Sequence, residues 1–199
     1  TAVLSGAASP TINGDYVLIL PDRDPGNYGL KVTGNLTVVA LPTNSGETIN
    51  LEAGGNLVIV DPLNVGNGSV ILKAGQSLAL GGKVTAGTLN ITASQDLSLI
   101  SEVDNLAVTM TGAGSLNVTQ TGDINIGTLV MAGGNLTINA TGNVTIGSLT
   151  GTVGTITIIS GGNIAITSTA NAGAVILTSA GTITGSLEAD TLALTASGV

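Results

Sequence analysis

The sequence predicts an all-β fold, a right-handed parallel β-helix of about eight or nine coils with a period of about 20 residues. The first observation is a figure that recurs along the chain: an apolar-x-apolar strand, a corner of Gly, Ala, Ser or Asn, and another apolar-x-apolar strand. Residues 129–138 and 49–59 are two copies. Apolar residues at every second position indicate strands, because successive side chains of a strand point to opposite faces.

The second observation is the spacing of the copies. The residue that ends the first strand recurs every 17–21 residues, apart from one step of 28 residues between Met131 and Ile159. Strands this short bury an apolar surface only when neighbouring repeats stack, as in a solenoid. A leucine-rich repeat has a similar period but needs a longer Leu ladder with a recurrent Asn or Cys, which is absent. The long step predicts a loop insertion of about eight residues at residues 150–155.

The second strand of each copy should stack on its neighbours, so that Leu57, Leu78, Leu97, Leu116 and Leu136 form one internal column. The segments assigned to this strand are 36–38, 57–59, 78–80, 97–99, 116–118, 136–138 and 164–166. A third strand is predicted in some coils, at residues 106–108, 124–126 and 144–146. The middle residues of the second-strand segments are mostly small or polar and are expected to face outward.

The composition agrees with a narrow aliphatic interior and excludes several functions. The chain has 199 residues, 30 Gly and a net charge of −8, with no Cys, His, Trp or Phe. A strongly acidic chain is unsuited to nucleic acids, whose binding needs a basic surface. No apolar run reaches about 18 residues, so no membrane insertion is predicted. We predict one solenoid, with residues 1–31 as an irregular first coil or N-terminal cap and residues 32–199 as β-helix repeats.

Catalytic, cofactor and metal sites are not predicted. The absence of His and Cys excludes a His-based nucleophile and disfavours zinc. General acid–base chemistry needs paired groups around one bond, but the acids are scattered. Glu102 and Asp104 share a face only if that segment is extended, and no basic residue is near them in sequence. A weak calcium candidate remains at Asp22, Asp24 and Asn27, since calcium prefers oxygen ligands.

The Gly-Asn corners carry two further expectations. Gly and Asn tolerate positive φ, and stacked Asn side chains can hydrogen-bond from coil to coil. The outward Thr rows raise an ice-binding interpretation, but Thr145, Thr155 and Thr157 are not repeated at matching places in neighbouring copies. Asn-x-Ser/Thr sequons make glycosylation possible, although a corner Asn followed by an inward Leu and an outward Thr produces them without any glycan. The sequons are at Asn35, Asn67, Asn90, Asn117, Asn135 and Asn143.

The repeats at residues 132–146 and 160–166 resemble the β-helical shafts of filamentous-haemagglutinin-like proteins, which are bacterial exoproteins of two-partner secretion. The resemblance covers about residues 32–199, and the Asn-Pro-Asn motifs of that family's secretion domain are absent. It implies a secreted or cell-surface location and a role in adhesion or as a spacer. It also implies a receptor on a host or neighbouring cell as the partner, and some members are glycosylated at similar sequons.

We therefore expect a non-catalytic structural or adhesive rod segment. One alternative is an extracellular filament subunit whose copies stack end to end, because the ends of such a rod are open β edges. A polysaccharide-active enzyme is a further alternative, which the scarcity of basic and aromatic residues opposes.

Overall fold

The structure is a computed structural model that describes residues 10–19, 27–40 and 44–198. Within these ranges the regular structure is β-strand, and no helix there is long and apolar enough to cross a bilayer. The first nine strands are short: β1 (Thr11–Ile12), β2 (Tyr16–Ile19), β3 (Tyr28–Val32), β4 (Leu36–Ala40), β5 (Thr48–Ala53), β6 (Leu57–Ile59), β7 (Leu63–Asn64), β8 (Ser69–Ala74) and β9 (Leu78–Leu80). The later strands include several that bend around a corner: β10 (Val84–Ala93), β11 (Leu97–Met110), β12 (Leu116–Gln120), β13 (Ile124–Ala132), β14 (Leu136–Ala140), β15 (Val144–Ile146), β16 (Leu149–Ser160), β17 (Ile164–Ser179) and β18 (Ile183–Ala196).

The strands pair in parallel with the strands of the next coil, which makes a β-solenoid of about nine turns. Each coil has three faces. We name them from one coil: residues 107–110 lie on face A, residues 116–120 on face B and residues 124–126 on face C. The predicted parallel β-helix architecture is therefore confirmed.

The predicted period and the predicted internal column are also confirmed. On face B, Leu116 pairs with Leu136 and Leu136 pairs with Ile156, so these coils repeat after 20 residues. The column is in register in two segments, because Leu57 pairs with Leu78 and Leu97 pairs with Leu116, whereas β9 and β11 are not hydrogen-bonded neighbours. All five predicted leucines are buried, and burial of a Leu side chain contributes about 2 kcal/mol.

The predicted loop insertion at residues 150–155 is wrong. This segment lies inside β16, whose residues pair with β13, β14 and β17. Met131 and Ile159 are not equivalent, because Met131 is buried whereas Ile159 points outward and is 44% exposed. The apparent step of 28 residues arose from matching residues on different faces, because Met131 pairs with Gly151 on face A whereas Ile159 pairs with Asn139 on face B.

The assignment of residues 164–166 to the second strand is wrong as well. Ile164 pairs with Val144 on face C, and the segment that stacks on Leu136 begins at Ile156. Residues 124–126 and 144–146 pair with each other, as predicted for the third strand. Residues 106–108 agree with that prediction only at Leu106, which pairs with Ile126; the segment as a whole pairs with residues 89–91 on face A.

The described part of residues 1–31 shares the parallel ladder. β2 pairs with β4, with a register shift between Leu18 and Ile19, and β3 pairs with β5. The two tyrosines, Tyr16 and Tyr28, are half-buried against the core of the first coils. The division at residue 31 stays a prediction.

Candidate functional site

A ladder of side-chain acceptors runs along the corner before face B. The Asp15 Oδ1 accepts a hydrogen bond from the Asn35 backbone N at 2.7 Å, and the Asn35 Oδ1 accepts one from the Asn56 backbone N at 2.8 Å. The Asn56 Oδ1 accepts from the Ser77 backbone N at 3.2 Å. A second run of the same ladder links Asp96, Ser115, Asn135 and Thr155. Each side chain thus satisfies a backbone N–H that the turning chain leaves without a strand partner.

The corner before face C carries a second ladder of the same kind. The Asp123 Oδ1 accepts from the Asn143 backbone N at 2.7 Å, and the Asn143 Oδ1 accepts from the Asn163 backbone N at 2.7 Å. The Asn163 Oδ1 accepts from the Thr182 backbone N at 2.8 Å. The predicted coil-to-coil bonding of Asn is confirmed, with backbone N–H groups as donors.

The predicted reason for the Gly before each Asn is wrong at most corners. No described residue other than Gly has a positive φ. Of the five glycines that precede a corner Asn, only Gly134 has one, at 73°; the five are Gly34, Gly55, Gly134, Gly142 and Gly162. The common reason is space: a Cβ at Gly55 would collide with the Asn35 Oδ1, and one at Gly162 with the Asn143 Oδ1. Glycine is present because the ladder side chain of the preceding coil lies against it.

The six sequons fall into two groups. Asn35, Asn135 and Asn143 are ladder residues, whose side-chain oxygens accept bonds from the next coil. The remaining three lie elsewhere: Asn67 is exposed in a turn, Asn90 is half-buried in β10, and Asn117 is exposed on β12. Glycosylation at any of them stays a prediction.

A shallow groove of about 530 Å³ lies on face C. Its polar lining combines the carboxylates of Asp104 and Asp123 with the amides of Asn125, Asn143 and Asn163. Much of this lining bonds to itself: the Asn143 Nδ2 donates to the Asp123 Oδ1 at 3.1 Å, alongside the backbone bond. The Asp123 carboxylate is therefore part of the corner ladder.

Beside the groove, Glu102 and Asp104 are both exposed on the extended strand β11, as an extended segment requires. The cation near Glu102 comes from the preceding coil, since the Lys83 Nζ lies 2.5 Å from the Glu102 Oε2. Sequence reasoning missed this ion pair because the partners are 19 residues apart. The one available signal was that a separation of 19 residues is close to the length of one coil.

These contacts limit what the groove can do chemically. Hydrolysis of a glycosidic bond by two carboxylates needs both within reach of the bond. Here Glu102 faces Lys83 and Asp123 holds Asn143, so each has a protein partner. The groove can offer hydrogen bonds to a polar ligand through Asp104 and the amide groups.

The calcium candidate cannot be assembled from the described residues. Asp22 and Asp24 lie outside them, and the Asn27 Oδ1 accepts a hydrogen bond from the Thr48 backbone N at 3.0 Å. In residues 10–19, 27–40 and 44–198, no three Asp or Glu side chains form a group that could hold a metal. The calcium site stays a prediction.

The threonines considered for ice binding lie at different places on the coil. Thr145 is on face C between Asn125 and Ala165, whereas Thr157 is on face B between Thr137 and Ile176. Neither belongs to an unbroken row of threonines.

Comparison of the chain with protein-family models, with curated proteins and with solved structures finds no match.

Proposed function

We propose that the chain is a structural and adhesive rod segment of a secreted or surface-exposed bacterial protein, similar to the shafts of filamentous-haemagglutinin-like exoproteins. The main support for the proposal is that the recurrent polar side chains at the corners have a structural role. The corner Asp and Asn residues hold one coil to the next, and the interior is a column of aliphatic side chains. Such a molecule provides length and lateral surface.

The rod can be tested by removing whole coils. Deletion of residues 116–135 joins Ser115 to Leu136, which is the register partner of Leu116, and removes part of the groove. Deletion of residues 57–77 joins Asn56 to Leu78 in the same way and leaves the groove intact. Each deletion should shorten the rod, about 45 Å long in the described coils, by about 5 Å in electron micrographs.

The same two deletions test where adhesion resides. Beads coated with either variant should adhere to bacterial or host cells as well as beads coated with the full chain, because no single coil carries the binding. If only the deletion of residues 116–135 abolishes adhesion, the groove is a discrete site and the rod proposal is wrong. Turnover of pectin-like or alginate-like polymers by the purified chain would instead support the enzyme alternative.

A second candidate function is an extracellular filament subunit that stacks end to end. It is favoured by the last described coil, where Leu192 and Leu194 are 53% and 52% exposed although their partners Val175 and Leu177 are each 1% exposed. Another coil would cover these side chains, from the same polypeptide or from a second copy. Long fibres in electron micrographs of the purified chain would support the filament, and dispersed short rods would oppose it.

A further inference from the structure

The outer surface of face B differs from the rest of the rod in its charge. Each of its ten strands points one or two side chains outward, from Val17 in the first described coil to Thr195 in the last. None of these outward residues is charged. The charged strand residues lie on the other two faces, for example Lys31 and Glu52 on face A and Glu102 on face C.

Face B also holds the exposed aliphatic side chains of the rod's flank. Val17, Ile19 and Val39 lie on its first two strands, Val60 directly follows the third, and the four are 36–59% exposed. The only other large hydrophobic residues of comparable exposure in the described chain are the two leucines of the terminal coil and three later face B residues.

The later coils continue the pattern with Ile100, Ile159 and Ile176, which are 43–55% exposed. Between them are uncharged Thr and Asn side chains such as Thr137 and Asn139, which pair with Thr157 and Ile159. The exposed aliphatic side chains therefore lie in two groups along face B, with uncharged polar side chains on β12 and β14 between them. Exposed apolar side chains that gather on one face, rather than scatter over the surface, indicate an interaction surface.

The shape and chemistry of face B limit the kind of partner that it can bind. The 530 Å³ groove lies on face C, whereas the face B strands form two parallel ladders, one from β2 to β9 and one from β11 to β18, so face B presents sheet surface away from the groove. Two sheets pack face to face at about 10 Å when both present uncharged, interdigitating side chains. A second face B has this chemistry.

Charge and area favour a second copy of the same chain. Each copy has a net charge of −8, and the charged side chains of the described strands lie on faces A and C, outside the contact. Ten strands about 4.8 Å apart and about 15 Å wide give about 600 Å² per copy, or about 1,200 Å² in all, which exceeds the roughly 1,000 Å² of a specific interface.

We propose that two copies of this chain pair laterally through face B, as a symmetric dimer of rods. In such an isologous contact each copy uses the same patch. The dimer joins rods side by side, and it is independent of the end-to-end contact considered above.

The test is the mass of the full chain by sedimentation equilibrium over a wide concentration range. The wild type should reach twice the 19.3 kDa monomer mass. The double variant Ile159→Lys and Ile176→Lys adds two charges to face B without touching the core, and it should weaken dimerisation by about tenfold or more. The matched control, Thr150→Lys and Thr152→Lys, adds the same charges at exposed positions of β16 outside face B and should dimerise like the wild type. Circular dichroism checks that both variants are folded.

Each other outcome overturns the proposal. If the wild type is monomeric at all concentrations, the contact does not form. If it is monomeric and also adsorbs to ice, face B binds ice rather than a second copy. A dimer that the face B lysines leave unchanged uses another surface. A dimer that weakens as salt is added is held by ion pairs, whereas contact through the uncharged face B should strengthen as salt screens the repulsion between acidic copies.

Discussion

Gly162→Ala tests whether the corner ladder stabilises the rod. A Cβ at residue 162 would overlap the Asn143 Oδ1 and lie 3.0 Å from the Asn143 Cγ. The Asn143 side chain would have to move, and its 2.7 Å bond from the Asn163 backbone N would be lost or lengthened. Overpacking costs about 1–3 kcal/mol and the lost hydrogen bond about 1 kcal/mol, while replacing Gly restricts the unfolded chain and returns about 0.4–1 kcal/mol. We expect a net loss of about 1–3 kcal/mol in the free energy of unfolding.

The measurement is urea denaturation followed by far-UV circular dichroism. Gly127→Ala is the control, because a Cβ at this glycine would meet no atom within 4 Å. It should leave the stability unchanged or raise it slightly.

A double-mutant cycle connects the effect to the ladder. In the Asn143→Ala background the colliding side chain is gone, so Gly162→Ala should cost at least about 1 kcal/mol less than in the wild type. Equal costs in the two backgrounds, or equal costs for Gly162→Ala and Gly127→Ala, would refute this account of the corner glycines.

Three further predictions concern the core, a buried hydroxyl and the surface ion pair. Leu136→Ala empties a fully buried position of the face B column and should lower the free energy of unfolding by about 2–5 kcal/mol in urea titrations; a loss below about 1 kcal/mol would contradict tight stacking. Ser160→Ala should cost about 1–2 kcal/mol in the same assay, because the buried Oγ donates to the Gly142 carbonyl oxygen at 2.7 Å; no loss would mean that water replaces it. The Lys83–Glu102 pair has side chains that are 45% and 49% exposed, so a double-mutant cycle should give a coupling below about 1 kcal/mol that vanishes in high salt; a larger, salt-resistant coupling would be inconsistent with an exposed pair.

The architecture of the fold, a stack of short parallel strands, was predictable from the sequence. An apolar residue at every second position and a spacing of about 20 residues together require stacked short strands. The column from Leu57 to Leu136 followed from these two patterns, since each leucine opens a strand after a polar or small corner residue. The ladder of corner Asn residues followed from their recurrence at the same place in the coil.

The sequence did not show to which face each strand of the later coils belongs. Ile156, Ile158, Ile159, Ile164 and Ile166 lie within eleven residues, and each pair of them separated by one residue resembles a buried strand. Faces B and C use the same apolar-x-apolar figure, so local pattern does not assign a strand to a face. Only the hydrogen-bonded register shows that Ile156 follows Leu136 and that Ile164 follows Val144.

The surroundings of the candidate site were hidden for a related reason. Lys83 and Glu102 meet because they lie one coil apart, and a search for nearby charges along the sequence does not reach that far. The outward residues of face B could not be recognised as one surface from the sequence, because they come together only when its ten strands are placed in their two ladders.

The corner ladders have a polarity. In every link of the two ladders, the side-chain oxygen belongs to the earlier coil and the backbone N–H to the later one. A completed coil therefore presents a ready row of acceptors to the segment that follows it in the polypeptide. If folding proceeds from the amino-terminal side, each new coil is added to a coil that is already formed. A chain that emerges amino terminus first can therefore fold coil by coil as it emerges.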